Sequence, residues 1–177
     1  IDELDPQCAE IMAHFKHFVD EKFGNARMAF RALDSDGNRN LKQQEFVDAL
    51  KLHGFPHPAK QLFNGLDRDG TKVITEDEVE FIDHWKPLPF LIAAPSETAK
   101  QEVRAALLDK YSNYLKAWRH AMDKDGSNRC NWSEFEAACK TVHYKGNAVG
   151  AWRAFDEDLS GFIQLSELDA EASEVLK

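Results

Sequence analysis

Residues 34–45 read DSDGNRNLKQQE, and the same outline returns as DRDGTKVITEDE at 67–78, DKDGSNRCNWSE at 123–134 and DEDLSGFIQLSE at 156–167. The first two segments start 33 residues apart, as do the last two, and 89 residues separate the pairs. Flanking residues repeat too: EKFGNARMAFR (21–31) parallels DKYSNYLKAWR (109–119). A repeat at a fixed period marks a supersecondary unit used several times, here a duplicated pair.

Around each segment the pattern is helical. Leu33, Leu66, Met122 and Phe155 stand immediately before the segments, and Phe30, Phe63 and Trp152 stand one turn earlier on the same face. In the third repeat the aromatic, Trp118, lies one residue further back, which predicts a local bulge in that helix. Phe46, Val79, Phe135 and Leu168 follow the segments and start exit helices. Long helices are predicted over roughly 6–33 and 97–122, with Gly24 and Ser112 as candidate breaks. Between the halves, KPLPFLIAAP (86–95) has three prolines, which rule out a regular helix across most of it.

Each segment has Asp at positions 1 and 3 and Glu at 12, so three carboxylates are crowded into one turn. A hard cation such as Ca²⁺ takes six to eight oxygens, and a twelve-residue loop can supply them from positions 1, 3, 5, 7, 9 and 12. Position 7 gives its backbone carbonyl and the position-12 Glu gives both oxygens. The candidate ligands are therefore Asp34, Asp36, Asn38, Asn40 and Glu45 in the first loop, and Asp67, Asp69, Thr71, Val73 and Glu78 in the second. The third offers Asp123, Asp125, Ser127, Arg129 and Glu134; the fourth offers Asp156, Asp158, Ser160, Phe162 and Glu167, with Gln164 or its water at position 9.

On these motifs the chain resembles the EF-hand, calmodulin-like superfamily over some three quarters of its length. The resemblance implies an all-α fold of two EF-hand pairs, each with a short two-stranded β pairing between its loops and each preceded by an extended helix. The domains would be 1–86, with loops 34–45 and 67–78, and 97–177, with loops 123–134 and 156–167, joined by an apolar linker at 87–96. Position 8 would pair Leu41 with Ile74 and Cys130 with Ile163, making Cys130 a small core residue rather than a redox group. The implied ligands are up to four Ca²⁺, with Mg²⁺ as a competitor.

The loops are not equal. Position 6 needs φ > 0, which suits Gly161 and is tolerated by Asn128, but Arg39 and Lys72 pay ~1 kcal/mol or more there. That weakens a site by about five- to tenfold. Thr71 adds a neutral, β-branched ligand. The predicted affinity order is fourth, then third and first, then second, with the second loop a candidate for vacancy.

Composition agrees. The net charge is -9, which argues against a nucleic-acid binder driven by phosphate contacts. Twelve of the 31 acids are loop ligands, leaving 19 against 22 Lys and Arg, so the rest of the chain is slightly basic. Four divalent ions would bring the charge to -1. No apolar run is long enough to span a membrane, and no charged-then-apolar leader opens the chain. Three cysteines cannot all pair within the chain and point to a reduced, cytoplasmic compartment. No phosphate loop, dinucleotide glycine pattern or nucleophile elbow occurs, and the seven His have no metal or catalytic spacing, so no enzyme activity is expected.

Two apolar stripes remain: Ile11, Met12, Phe15, Phe18 and Val19, and Val103, Leu107, Leu108, Tyr111 and Leu115. Each either lengthens the core of its own half, or it (or the 88–92 stretch) fills the groove that sensors of this superfamily open for a target helix. Three Met against 19 aromatics argue for a stiff or filled groove rather than a promiscuous one. The expected function is a Ca²⁺-responsive regulatory module that changes an apolar surface for a protein partner or for the rest of a longer chain. The alternatives are a buffer resembling the sarcoplasmic calcium-binding proteins, or a domain held folded by Ca²⁺.

Overall fold

A computed structural model describes residues 6–175; residues 1–5 and 176–177, at the outer ends of the two predicted domains, lie outside it. It is mostly helical, with one two-stranded antiparallel sheet among the described residues. Chain contacts divide it into two units, residues 1–92 and 93–177.

In the first unit α1 (Pro6–Lys22) is followed by α2 (Ala26–Leu33), β1 (Leu41–Lys42), α3 (Gln43–His53), α4 (Ala59–Leu66), β2 (Val73–Ile74) and α5 (Glu76–His84). Gly24 at φ 85° ends α1, and Asn25 restarts the chain by accepting the Met28 N–H on its side chain. β1 and β2 pair with Leu41 opposite Ile74 and Lys42 opposite Val73, the position-8 partners named from sequence. The apolar faces converge on one core containing Phe30, Leu33, Phe46, Phe63, Leu66 and Ile82. Ile11, Met12, Phe15 and Val19 of α1 lie in that same core, with Phe18 half-buried against it. α1 packs on α4 so closely that a Cβ on Gly65 would lie 2.5 Å from Cys8 Sγ.

The predicted linker at 87–96 is shared between the two units. Its prolines forbid an α-helix but permit one 3₁₀ turn, Pro89–Ile92, which packs against α1 and buries Phe90. Ser96 belongs to the second unit and caps its first helix through the Ala99 N–H.

The second unit comprises α6 (Glu97–Tyr111), α7 (Tyr114–Ala117), a π-helical turn (Trp118–Met122), α8 (Trp132–Thr141), α9 (Ala148–Phe155), α10 (Leu165–Leu168) and α11 (Ala170–Glu174). The break between α6 and α7 repeats that of the first unit: Ser112 sits at φ 68° and Asn113 caps α7 through the Lys116 N–H. Cys130 and Ile163 form a single antiparallel bridge, with both N–H···O distances 2.8 Å. α6 packs along α9 and buries Val103 and Leu107. The buried Lys100 ammonium donates to the Ala154 carbonyl at the end of α9 (2.8 Å) and to Glu157 (3.1 Å), and lies over the Phe155 ring. Arg104 reaches Asp169 at 3.0 Å. Each extra helix thus lies on the helix that enters the second loop of its own unit. No described helix is long and apolar enough to cross a membrane.

Candidate metal centre

Each twelve-residue loop begins where an apolar helix face ends. Asp34, Asp67 and Asp156 donate their N–H to the carbonyl four residues back, on Phe30, Phe63 and Trp152 (2.9, 2.9 and 2.8 Å). The chain then turns through positive φ at position 4 (Gly37, Gly70, Gly126 and Leu159) and again at position 6 (Arg39, Lys72, Asn128 and Gly161). These turns aim backbone N–H groups inward. The position-6 N–H lands on one oxygen of the position-1 Asp: Arg39 on Asp34 Oδ2 (3.0 Å), Lys72 on Asp67 Oδ2 (3.1 Å) and Gly161 on Asp156 Oδ2 (3.1 Å).

The result is three carboxylate triads. Asp34, Asp36 and Glu45 each bring an oxygen within 4.8 Å of the others, as do Asp67, Asp69 and Glu78, and Asp156, Asp158 and Glu167. Asp34 Oδ1 and Asp67 Oδ1 are shielded from solvent without any hydrogen-bond partner. A buried carboxylate oxygen left bare costs free energy unless something positive meets it. The donor set is entirely oxygen, which suits a hard cation. These three groups could hold a metal ion.

The supporting ligands fall around the same centres. The position-5 hydroxyls of Thr71, Ser127 and Ser160 donate to the position-7 carbonyls of Val73, Arg129 and Phe162 (3.1, 2.9 and 3.0 Å). In the first loop Asn38 donates its amide to Asp36, and Asn40 donates twice to Asn38, from its N–H to the side-chain oxygen and from its amide to the carbonyl. Glu78 and Glu167 also cap their own exit helices through the Thr75 and Gln164 N–H groups (2.9 and 2.7 Å).

Electrostatics differ between positions. Burial pushes the Asp156 carboxyl up to about 6, and burial also raises Glu167. The exposed position-3 acids move the other way. Asp69 is lowered by the Thr71 hydroxyl and N–H, Asp125 and Asp158 by the N–H and hydroxyl of Ser127 and Ser160. Position 1 is thus the desolvated ligand and position 3 the solvated one.

The third loop is different. Asp123, Asp125 and Glu134 are not among the triads found in the described residues. Glu134 Oε2 accepts the Asn131 N–H (3.0 Å), as Glu167 accepts that of Gln164, and Asp123 is buried like Asp156; the difference lies at one Asp123 oxygen. This oxygen, Oδ2, accepts the indole N–H of Trp118 at 3.1 Å. The residue offset of Trp118 signalled a bulge, and the bulge is the π turn; the indole contact it creates was not read from sequence.

A second missed feature is Leu159 at φ 58°, where the other loops carry Gly. Lining up position 4 of the repeats would have found it. A bulky side chain there is strained by about 1 kcal/mol, which offsets the advantage assigned to Gly161. Leu159→Gly is expected to raise the stability of the second unit by roughly 0.5–1 kcal/mol in denaturant titration. A loss of stability would show that Leu159 contributes packing worth more than its strain.

No family model and no curated protein matches the chain.

Proposed function

We propose that the chain is a Ca²⁺-binding module of the EF-hand type. The observation that carries this is the set of three Asp-Asp-Glu triads, two of which hold a solvent-shielded carboxylate oxygen with no partner. Asp34, Asp36, Glu45, Asp67, Asp69, Glu78, Asp156, Asp158 and Glu167 would hold the ions, aided by the position-5 side chains and position-7 carbonyls. The ion would supply charge neutralisation, which converts a repulsive cluster into a cross-link between entering and exit helices. Titration calorimetry of chelator-stripped protein is expected to resolve at least three Ca²⁺ sites, with Mg²⁺ weaker because the loops offer more oxygens than its octahedron needs. No uptake at millimolar free Ca²⁺ would refute the proposal.

We take the module to be regulatory: each loop pair carries an extra helix of the same chain, so a change in loop geometry reaches that helix first. A second reading, a Ca²⁺ buffer, is favoured by the burial of Ile11, Met12, Phe15 and Val19 in the core of the first unit. That face has no groove left to offer. A hydrophobic dye separates the two: a regulator gains dye binding on Ca²⁺ addition, and a buffer does not.

A further inference from the structure

We infer that Trp118 is a positioning residue that holds Asp123 away from the metal, making the third loop the last of the four to fill. The inference depends on Ca²⁺ being the ligand of the other loops. It rests on a comparison of four copies of one motif within the same chain.

In loops one, two and four, the aromatic before the loop is four residues from the first Asp and accepts its N–H in an α-helical bond. In the third, Trp118 is five residues from Asp123, and the bond is the π-helical one, Asp123 N–H to Trp118 carbonyl at 2.8 Å. The extra residue rotates the indole relative to the loop. Its N–H then meets Asp123 Oδ2 at 3.1 Å, with Trp118 only 2% exposed.

The carboxylate turns to take that bond. In loops one, two and four the position-6 N–H reaches Oδ2 alone; Oδ1 stays bare on Asp34 and Asp67 and takes the Ser160 hydroxyl on Asp156 (3.3 Å). In the third loop the Asn128 N–H straddles both oxygens of Asp123, at 3.2 and 3.3 Å. Oδ1 also takes the Ser127 hydroxyl at 3.4 Å. Asp123 and Asp156 thus both have donors on each oxygen, but only Asp123 adds the buried indole, and only its loop lacks a closed carboxylate triad among the described residues. An ion that draws the Asp123 carboxylate toward the loop centre has to work against this buried, charge-assisted hydrogen bond. That makes the third site roughly tenfold or more weaker than the same loop without the indole. Sequence alone ranked this loop level with the first.

The test is a Ca²⁺ titration of the full ¹⁵N-labelled chain by NMR. Gly37, Gly70, Gly126 and Gly161 give one amide reporter for each loop, and the Trp118 indole N–H reports the latch. In the wild type, Gly126 and the Trp118 indole are expected to move together, at free Ca²⁺ roughly tenfold above the other three midpoints. In Trp118→Phe the Gly126 midpoint is expected to fall roughly tenfold while the other three hold. Gly126 moving with or before the others in the wild type overturns the inference, and so does an unchanged midpoint in the variant. Should Trp118→Phe fail to fold, the order of the four glycine midpoints in the wild type decides it alone. If no glycine moves at millimolar Ca²⁺, the Ca²⁺ proposal itself fails and takes this inference with it.

Discussion

Ca²⁺ at a thousand times the dissociation constant of one loop is expected to stabilise the unit holding it by about 4 kcal/mol. For units of this size that raises Tm by roughly 20 °C. The effect is large because the metal-free state crowds three carboxylates into each turn. Thermal unfolding of chelated and Ca²⁺-saturated protein, followed by circular dichroism, measures it directly. A Tm that does not respond to Ca²⁺ would remove the electrostatic basis of the proposal.

The same loops set the pH dependence. Asp156, raised to about 6, and Glu167, raised by burial, bind protons more tightly folded than unfolded. Their contribution to metal-free stability is present below the ordinary carboxylate range and is lost as pH rises through about 6. Chelated protein is therefore expected to lose stability in its second unit between pH 4 and pH 7. Ca²⁺ reverses the slope, because it binds only the ionised carboxylates.

Phe135→Ala is expected to cost about 3–5 kcal/mol, a large share of what a unit of this size has. Phe135 is fully buried and packs edge-on against Trp152 (ring centroids 5.4 Å apart) and against Phe155 (6.0 Å), with Trp132 at 6.0 Å. Removing its ring leaves a cavity that three rigid aromatics cannot collapse to fill. Phe162→Ala is the contrast: that residue is only half-buried, with the Arg129 guanidinium over its ring, 4.7 Å from its centroid. Its loss is expected to cost no more than about 1 kcal/mol. Denaturant titration of both variants checks the ratio; equal losses would mean the aromatic cluster does not carry the unit.

Much of this is legible in the sequence. The period-3.6 apolar spacing named the helices around each loop, and position 8 named Leu41 with Ile74 and Cys130 with Ile163. Gly24 and Ser112 were marked as breaks, and both adopt positive φ. The left-handed strain at Arg39 and Lys72 was also foreseeable, because a repeat fixes the backbone of its weaker copies by its stronger ones. What stayed hidden was three-dimensional. An extra residue before the third loop shows as an offset, but the direction in which an indole N–H then points depends on helical phase. The 3₁₀ turn at Pro89–Ile92 was masked by prolines that forbid a long helix yet permit a single turn.

Lys100 joins three things at one ammonium group: the body of α6, the last carbonyl turn of α9 and an acid inside the fourth loop. The ammonium end is buried while the Glu157 carboxylate lies in solvent, so the firm arm of the joint is the one to the Ala154 carbonyl. Displacement of the end of α9 is handed to a fifteen-residue rod and carried along its length. Amide exchange along α6 should therefore slow or quicken with the fourth loop's occupancy, and Lys100→Met should uncouple them.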